Sequence, residues 1–132
     1  MTPYLELVCP AGSPAALRAA IEAGADTVYC SYNDRTNARN YPGLNFDVEE
    51  MAEGVAYAHR KGAKVLVAIN TFPPAGQMKD WQAAVDNAAE AGAAGWKAER
   101  ESLQAEIKTL KTRLAKLEVR EKKKATEHDS VS

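Results

Sequence analysis

Between residues 31 and 46 stand two arginines, Arg35 and Arg39, and four asparagines, Asn33, Asn37, Asn40 and Asn45. A guanidinium is a planar fork of N–H donors that fits a carboxylate or a phosphate at two points. Asn37 and Asn40 can orient a polar ligand, or they can close turns by bonding their own backbone. Asn70 and Thr71 end an apolar run further on and are expected at the same end of the fold. Arg35, Asn37, Arg39, Asn40 and Asn70 are therefore the candidate ligand-binding residues. The bland alternative is a polar surface loop, and no catalytic residue is assigned.

The remaining reactive side chains are sparse. Cys9 and Cys30 are the two cysteines. A zinc or iron–sulfur site takes about four protein ligands. With no second pair, the two are read as small buried thiols and no metal is expected. His59 lies late in a helical pattern beside Arg60 and Lys61, where a cation suits the helix dipole. His128 falls in the tail. No Ser–His–Asp arrangement can be drawn.

The elements that must position these residues repeat. Leu5–Val8 reads as a strand halted by Pro10, which cannot donate to a central ladder. Ser13-Pro14 reads as a helix cap and first position, with Leu17, Ala20 and Ile21 as its stripe and Gly24 as its stop. Thr27–Cys30 is a second strand. Asp47 caps a second helix whose inward face is Val48, Met51, Ala52, Val55 and Ala58. Residues 64 to 72 form a third strand, apolar on both faces as if covered on both sides. Gln77–Ala91 is a third helix with Met78, Trp81, Val85, Ala88 and Ala89 inward. Strand and helix alternate, so the strands are parallel. The segment Cys9-Pro10-Ala11-Gly12 is no dinucleotide fingerprint, which favours part of a barrel over a doubly wound sheet.

From Trp96 the period shortens. Leu103, Ile107, Leu110, Leu114 and Leu117 alternate by four and three, a heptad seam with Ile107 and Leu114 at a. In a parallel pair Glu106 meets Lys111 and Arg113 meets Glu118. Either a homodimer forms through 96–117, or the helix turns back at Gly92 and Gly95 onto its own sheet.

The chain has 132 residues, is 45% hydrophobic and carries a formal charge of −1. That balance marks neither a disordered chain nor a nucleic-acid binder, and no nucleic-acid partner is expected. No window approaches roughly 18 apolar residues, so no membrane span is expected. The first residues show no signal-peptide pattern, and a cytoplasmic location is expected.

Four segments carry a resemblance. They are Leu5-Glu6-Leu7-Val8-Cys9-Pro10-Ala11-Gly12-Ser13, Ala19–Tyr29, Asn37-Ala38-Arg39 and Ala68-Ile69-Asn70-Thr71-Phe72. Together they resemble the start of the collagenase-like peptidase family (unassigned peptidase family 32) over about residues 4–93. Within it, Asp34–Arg39, Gly43–Phe46 and Trp81–Asp86 look most like the U-subunit branch of the oxygen-independent ubiquinone-biosynthesis hydroxylation pair. The resemblance implies a TIM-barrel-like domain, a partner subunit of the same family, and a 4Fe–4S cluster held by cysteines downstream in full-length members. Neither Cys9 nor Cys30 is among those ligands, so no cofactor is expected in this chain. Siblings in tRNA hydroxylation or protease branches remain alternatives.

The expected fold is α/β: three βα units of a truncated TIM-barrel-like domain over 1–94, an amphipathic, coiled-coil-like helix over 95–125 and a disordered tail over 126–132. The tail from Gly95 is expected to have no family counterpart. The chain is read as a truncated or chimeric relative of ubiquinone-precursor hydroxylation proteins, inactive alone. The rival reading is an interaction module working through its C-terminal helix.

Overall fold

The computed structural model describes residues 4–129. The chain falls into two compact units that divide between Glu99 and Arg100. The first holds β1 (Val8–Pro10), α1 (Pro14–Glu22), β2 (Thr27–Cys30), α2 (Val48–Arg60) and β3 (Lys64–Val67). Helix α3 (Met78–Asp129) starts in the first unit and supplies the second. The strands form one parallel sheet in the order β1-β2-β3. Val8 lies beside Thr27 and Thr27 beside Lys64, while Pro10, Tyr29 and Leu66 form another row.

Two strands differ from the expected spans. β1 is Val8–Pro10 rather than 5–8. It enters the sheet at Leu7, whose carbonyl accepts from the N–H groups of Asp26 and Thr27 at 2.9 and 3.2 Å. Its edge position tolerates Pro10, whose missing N–H breaks no central ladder. β3 stops at Val67 rather than near Phe72. Beyond it the N–H groups of Asn70 and Thr71 turn to the Thr36 carbonyl at 3.0 and 3.3 Å, leaving the sheet for the loop.

One face of the sheet is packed and the other is open. Val28 and Cys30 point into a core with Leu17 and Ile21 of α1, Met51, Val55 and Ala58 of α2, and Tyr32 and Phe46 from the loop between β2 and α2. On the opposite face Val8, Tyr29 and Leu66 are 46%, 44% and 56% exposed. β3 is therefore covered on one side only, against the expectation of two. Among the described residues that second face is closed only at its first row, where Thr27 is buried and donates to Glu6, itself 3.6 Å from Lys64 Nζ.

The helix starts follow from local chemistry. Ser13 Oγ accepts from the Ala16 N–H at 3.2 Å ahead of Pro14. Asp47 and Glu50 form a reciprocal capping box, with bonds of 2.7 and 3.1 Å. On α2 the inward stripe is Met51, Gly54, Val55 and Ala58, whereas Val48, expected inside, is 52% exposed in the first turn. Gly54 lets α1 approach: a Cβ there would lie 3.2 Å from Leu17 Cδ1.

Helix α3 departs most from expectation. It runs 52 residues without a break at Ala91, Gly92 or Gly95, so no turn folds it back there. Each glycine costs a helix only about 1 kcal/mol relative to alanine, and the surrounding run of Ala, Glu, Lys and Leu outweighs that. Its buried stripe is Trp81, Ala84, Ala91 and Gly95, with Ala88 half-buried. Met78 and Val85, expected inward, are 61% and 51% exposed. Beyond Trp81, which was expected inward, the inward residues are small, and large apolar side chains on the flank masked them. Residues 126 to 129, expected to be disordered, belong to α3, and residues 130–132 of that expected tail lie outside the described residues.

Candidate functional site

The C-terminal ends of the three strands and the loop after β2 enclose a cleft of about 490 Å³. Pro10, Ala11 and Gly12 come from the end of β1 and the turn after it, Tyr29, Cys30 and Ser31 from the end of β2, and Ala68 and Asn70 from beyond β3. The loop adds Asn37, Arg39, Tyr41, Leu44 and Asn45. Among the described residues no carboxylate lines it.

The loop is rigidly tied. Tyr32 pairs with Phe46 as an isolated parallel bridge. The Phe46 N–H bonds the Ser31 carbonyl at 3.1 Å, and the Asn33 N–H returns to Phe46 at 2.9 Å. Asn45 takes a left-handed φ of 72°, which asparagine tolerates. Its N–H reaches the Gly12 carbonyl at 2.7 Å and its amide donates to the Arg39 carbonyl at 2.9 Å. Asp34 accepts from both the N–H and the hydroxyl of Thr36, at 2.8 and 2.6 Å.

The five candidate residues take different places. Asn37, Arg39 and Asn70 meet in the cleft. Asn37 is 5% exposed and largely structural: it donates to the Tyr32 carbonyl at 3.2 Å and accepts from the Arg39 N–H at 3.0 Å. Asn70 accepts from the Ala38 N–H at 2.8 Å. Arg39 has no side-chain hydrogen bond or ion pair within the described residues. Arg35 lies elsewhere, donating to Gln77 at 2.6 Å and to Asp80 at 2.8 Å, 5.5 Å from the centre of the Trp81 ring. Asn40 lines a separate hollow with Ser13, Asn33, Asp47 and Glu50.

Tyr29, Tyr41 and Leu44 are the lining residues that the sequence reading missed. The alternation of β2 was the signal for Tyr29, since Val28 and Cys30 point into the core and Tyr29 must then point away. Two phenol rings, one guanidinium and a set of amides make a place where a planar ring can lie and be held at its edges.

The sequence profile of Peptidase family U32 matches residues 12–120. The chain belongs to that family. It is 38% identical over 86 residues to tRNA hydroxylation protein P of Helicobacter pylori, covering 65% of this chain and 20% of that protein. It is 38% identical over 98 residues to an uncharacterized protease of Methanocaldococcus jannaschii, covering 70% of this chain and 23% of the other. It is 42% identical over 71 residues to the 23S rRNA 5-hydroxycytidine C2501 synthase of Escherichia coli, covering 52% and 10%. The chain thus spans about a quarter or less of these relatives' length. No solved structure matches it. The U32 match also runs past Gly95 to residue 120, so residues 95–120 of the stretch expected to lack a family counterpart are included in it.

The chemistry of the other reactive groups is narrow. Burial pushes the Cys30 thiol up to about 12, so it is no nucleophile near neutral pH. Cys9 is also a free thiol, half-buried. No group of three or more His, Cys, Asp or Glu converges among the described residues. The two cysteines of the sequence cannot by themselves supply four thiolates to an iron–sulfur cluster. His59 is not the helix-end cation expected from its neighbours: it is 5% exposed and stacked on Trp96, with centroids 4.0 Å apart. Burial lowers its pKa, with Glu99 pulling weakly the other way. The Tyr32 hydroxyl and His59 Nδ1 are buried without a partner.

No helix of the described residues is long and apolar enough to cross a membrane.

Proposed function

We propose that this chain supplies the ring-holding part of an oxygen-independent hydroxylation protein of Peptidase family U32, and that the ring belongs to a ubiquinone precursor. The cleft carries this reading: Tyr29 and Tyr41 offer planar faces, and Arg39 and Asn70 offer polar edges, with no carboxylate or imidazole among its described lining residues. Such a site binds and orients, and the oxidation belongs to chemistry outside these residues. The parallel βα order and the open sheet face suit one wall of a TIM-barrel-like domain. A partner subunit of the same family, a cytoplasmic location, a βα domain over 1–94 and a coiled-coil-like role for the 95–125 stretch of α3 go with the proposal. On it the chain is part of a larger machine and inactive alone.

A second reading takes an RNA base as the ring, as the names of the tRNA and rRNA hydroxylation relatives suggest. Charge argues against the first unit, which holds the cleft, gripping RNA by itself. Residues 1–99 hold eight Lys and Arg against twelve Asp and Glu, and phosphate contacts supply much of RNA affinity. The protease name of one relative finds little support in the cleft, where Ser31 is buried and the Cys30 thiol is held protonated.

Titrating the whole chain with a hydroxylated benzoate, followed by two-dimensional NMR, tests the proposal. Shifts are expected at Tyr29, Arg39 and Tyr41, and Tyr41→Ala should weaken binding about fivefold or more. Silence towards that probe, together with salt-sensitive shifts on adding single-stranded RNA, would replace the first reading by the second.

A further inference from the structure

The second unit of the chain is a helix with one unused apolar row. Leu103, Ile107, Leu110, Leu114 and Leu117 are each between 50% and 57% exposed. Their spacing of four and three keeps them on a single seam when two helices wrap around each other. Trp96, one heptad before Leu103, is engaged in its own chain by stacking on His59. The seam therefore begins at Leu103. At its far end the next two seam positions are Glu121 and Lys124, which do not pack as apolar layers.

We propose that a second copy of this chain occupies the seam, in a parallel two-stranded coiled coil over residues 103–117. Charge complementarity supports a second copy: Glu106 of one helix meets Lys111 of the other, Arg113 meets Glu118, and symmetry repeats both pairs. Layer matching favours the parallel direction. In parallel register each of the five apolar residues faces its own copy. An antiparallel pair centred between Ile107 and Leu110 also finds opposite charges, Glu106 with Arg113 among them. It would, however, seat Leu117 against Arg100, leaving four wholly apolar layers. Five layers span on the order of 20 Å of helix, a short coil. Such a dimer dissociates on dilution.

Sedimentation equilibrium of the full chain over a wide concentration range is the test. A reversible monomer–dimer equilibrium is expected, and Leu110→Asp should leave a monomer at every concentration with its helix content retained. The charge variants separate the two directions. Lys111→Glu sets the new carboxylate against Glu106 of the other helix in the parallel dimer and should weaken it roughly threefold to tenfold. In the antiparallel pair the same position faces Gln104 and the change would be nearly silent. Adding Glu106→Lys to Lys111→Glu restores the parallel dimer, but in the antiparallel pair it sets the new ammonium against Arg113. A chain that stays monomeric, an L110D variant of unchanged mass, or a silent K111E each overturns the proposal.

Discussion

His59 shows how much one side chain can constrain a small unit. Its ring lies nearly parallel to Trp96, tilted by 20°, and its Nδ1 has no hydrogen-bond partner. Protonation would place a charge in that apolar contact, so burial lowers its pKa from the usual 6.5 or so, against a small opposing pull from Glu99. The unfolded chain therefore takes up this proton first as the pH falls. The contribution is fully present above the unfolded pKa and is lost as the pH drops through about 6.5 towards the lower folded value. Urea melts between pH 8 and pH 5 should show stability declining across that window, and His59→Phe should flatten the decline. The burial of His59 was not legible in the sequence, because its neighbours Arg60 and Lys61 mark a helix end while the residue that covers it lies far along the chain.

At the scale of elements, α3 beyond Trp81 is held by small residues. Gly95 is buried where an added Cβ would lie 2.5 Å from His59 Nδ1 and 3.3 Å from Val55 Cγ1. Gly92 has nothing within 4 Å of the same position. The two glycines should therefore respond oppositely to alanine. Gly92→Ala should stabilise by roughly 0.5–1 kcal/mol through helix propensity alone. Gly95→Ala gains the same propensity but must displace the His59 ring, at a net cost of about 1–2 kcal/mol. Thermal melts of the two variants check the pair. The caps of α1 and α2 were readable because Ser13, Pro14, Asp47 and Glu50 act within one turn. The length of α3 was not, because glycine is a stop signal only where packing does not claim the helix.

Over the first unit as a whole, stability sits on one face of the sheet. Leu17 is fully buried, and Leu17→Ala should cost about 2–4 kcal/mol. Leu66, on the open face, should tolerate serine with less than about 0.5 kcal/mol lost, while binding of a hydrophobic dye falls. Equal losses for the two variants would show that the open face is covered in solution. The parallel order was legible from alternating patterns, and Arg39 and Asn70 from their positions after strands. The division of the loop was not: Arg35 faces α3, Asn40 a second hollow, and both depend on contacts between residues distant in sequence. Arg35 holds Gln77 and Asp80, its carbonyl accepts from Thr71 Oγ1 at 2.6 Å, and the Thr71 carbonyl accepts from Trp81 Nε1 at 3.0 Å. The loop that shapes the cleft and the first turns of α3 are thus one mechanical body. Were gripping those turns to change affinity in the cleft, filling the cleft would change the grip by the same factor. Substitutions at Gln77 or Asp80 therefore loosen the loop that shapes the cleft without altering any residue that lines it.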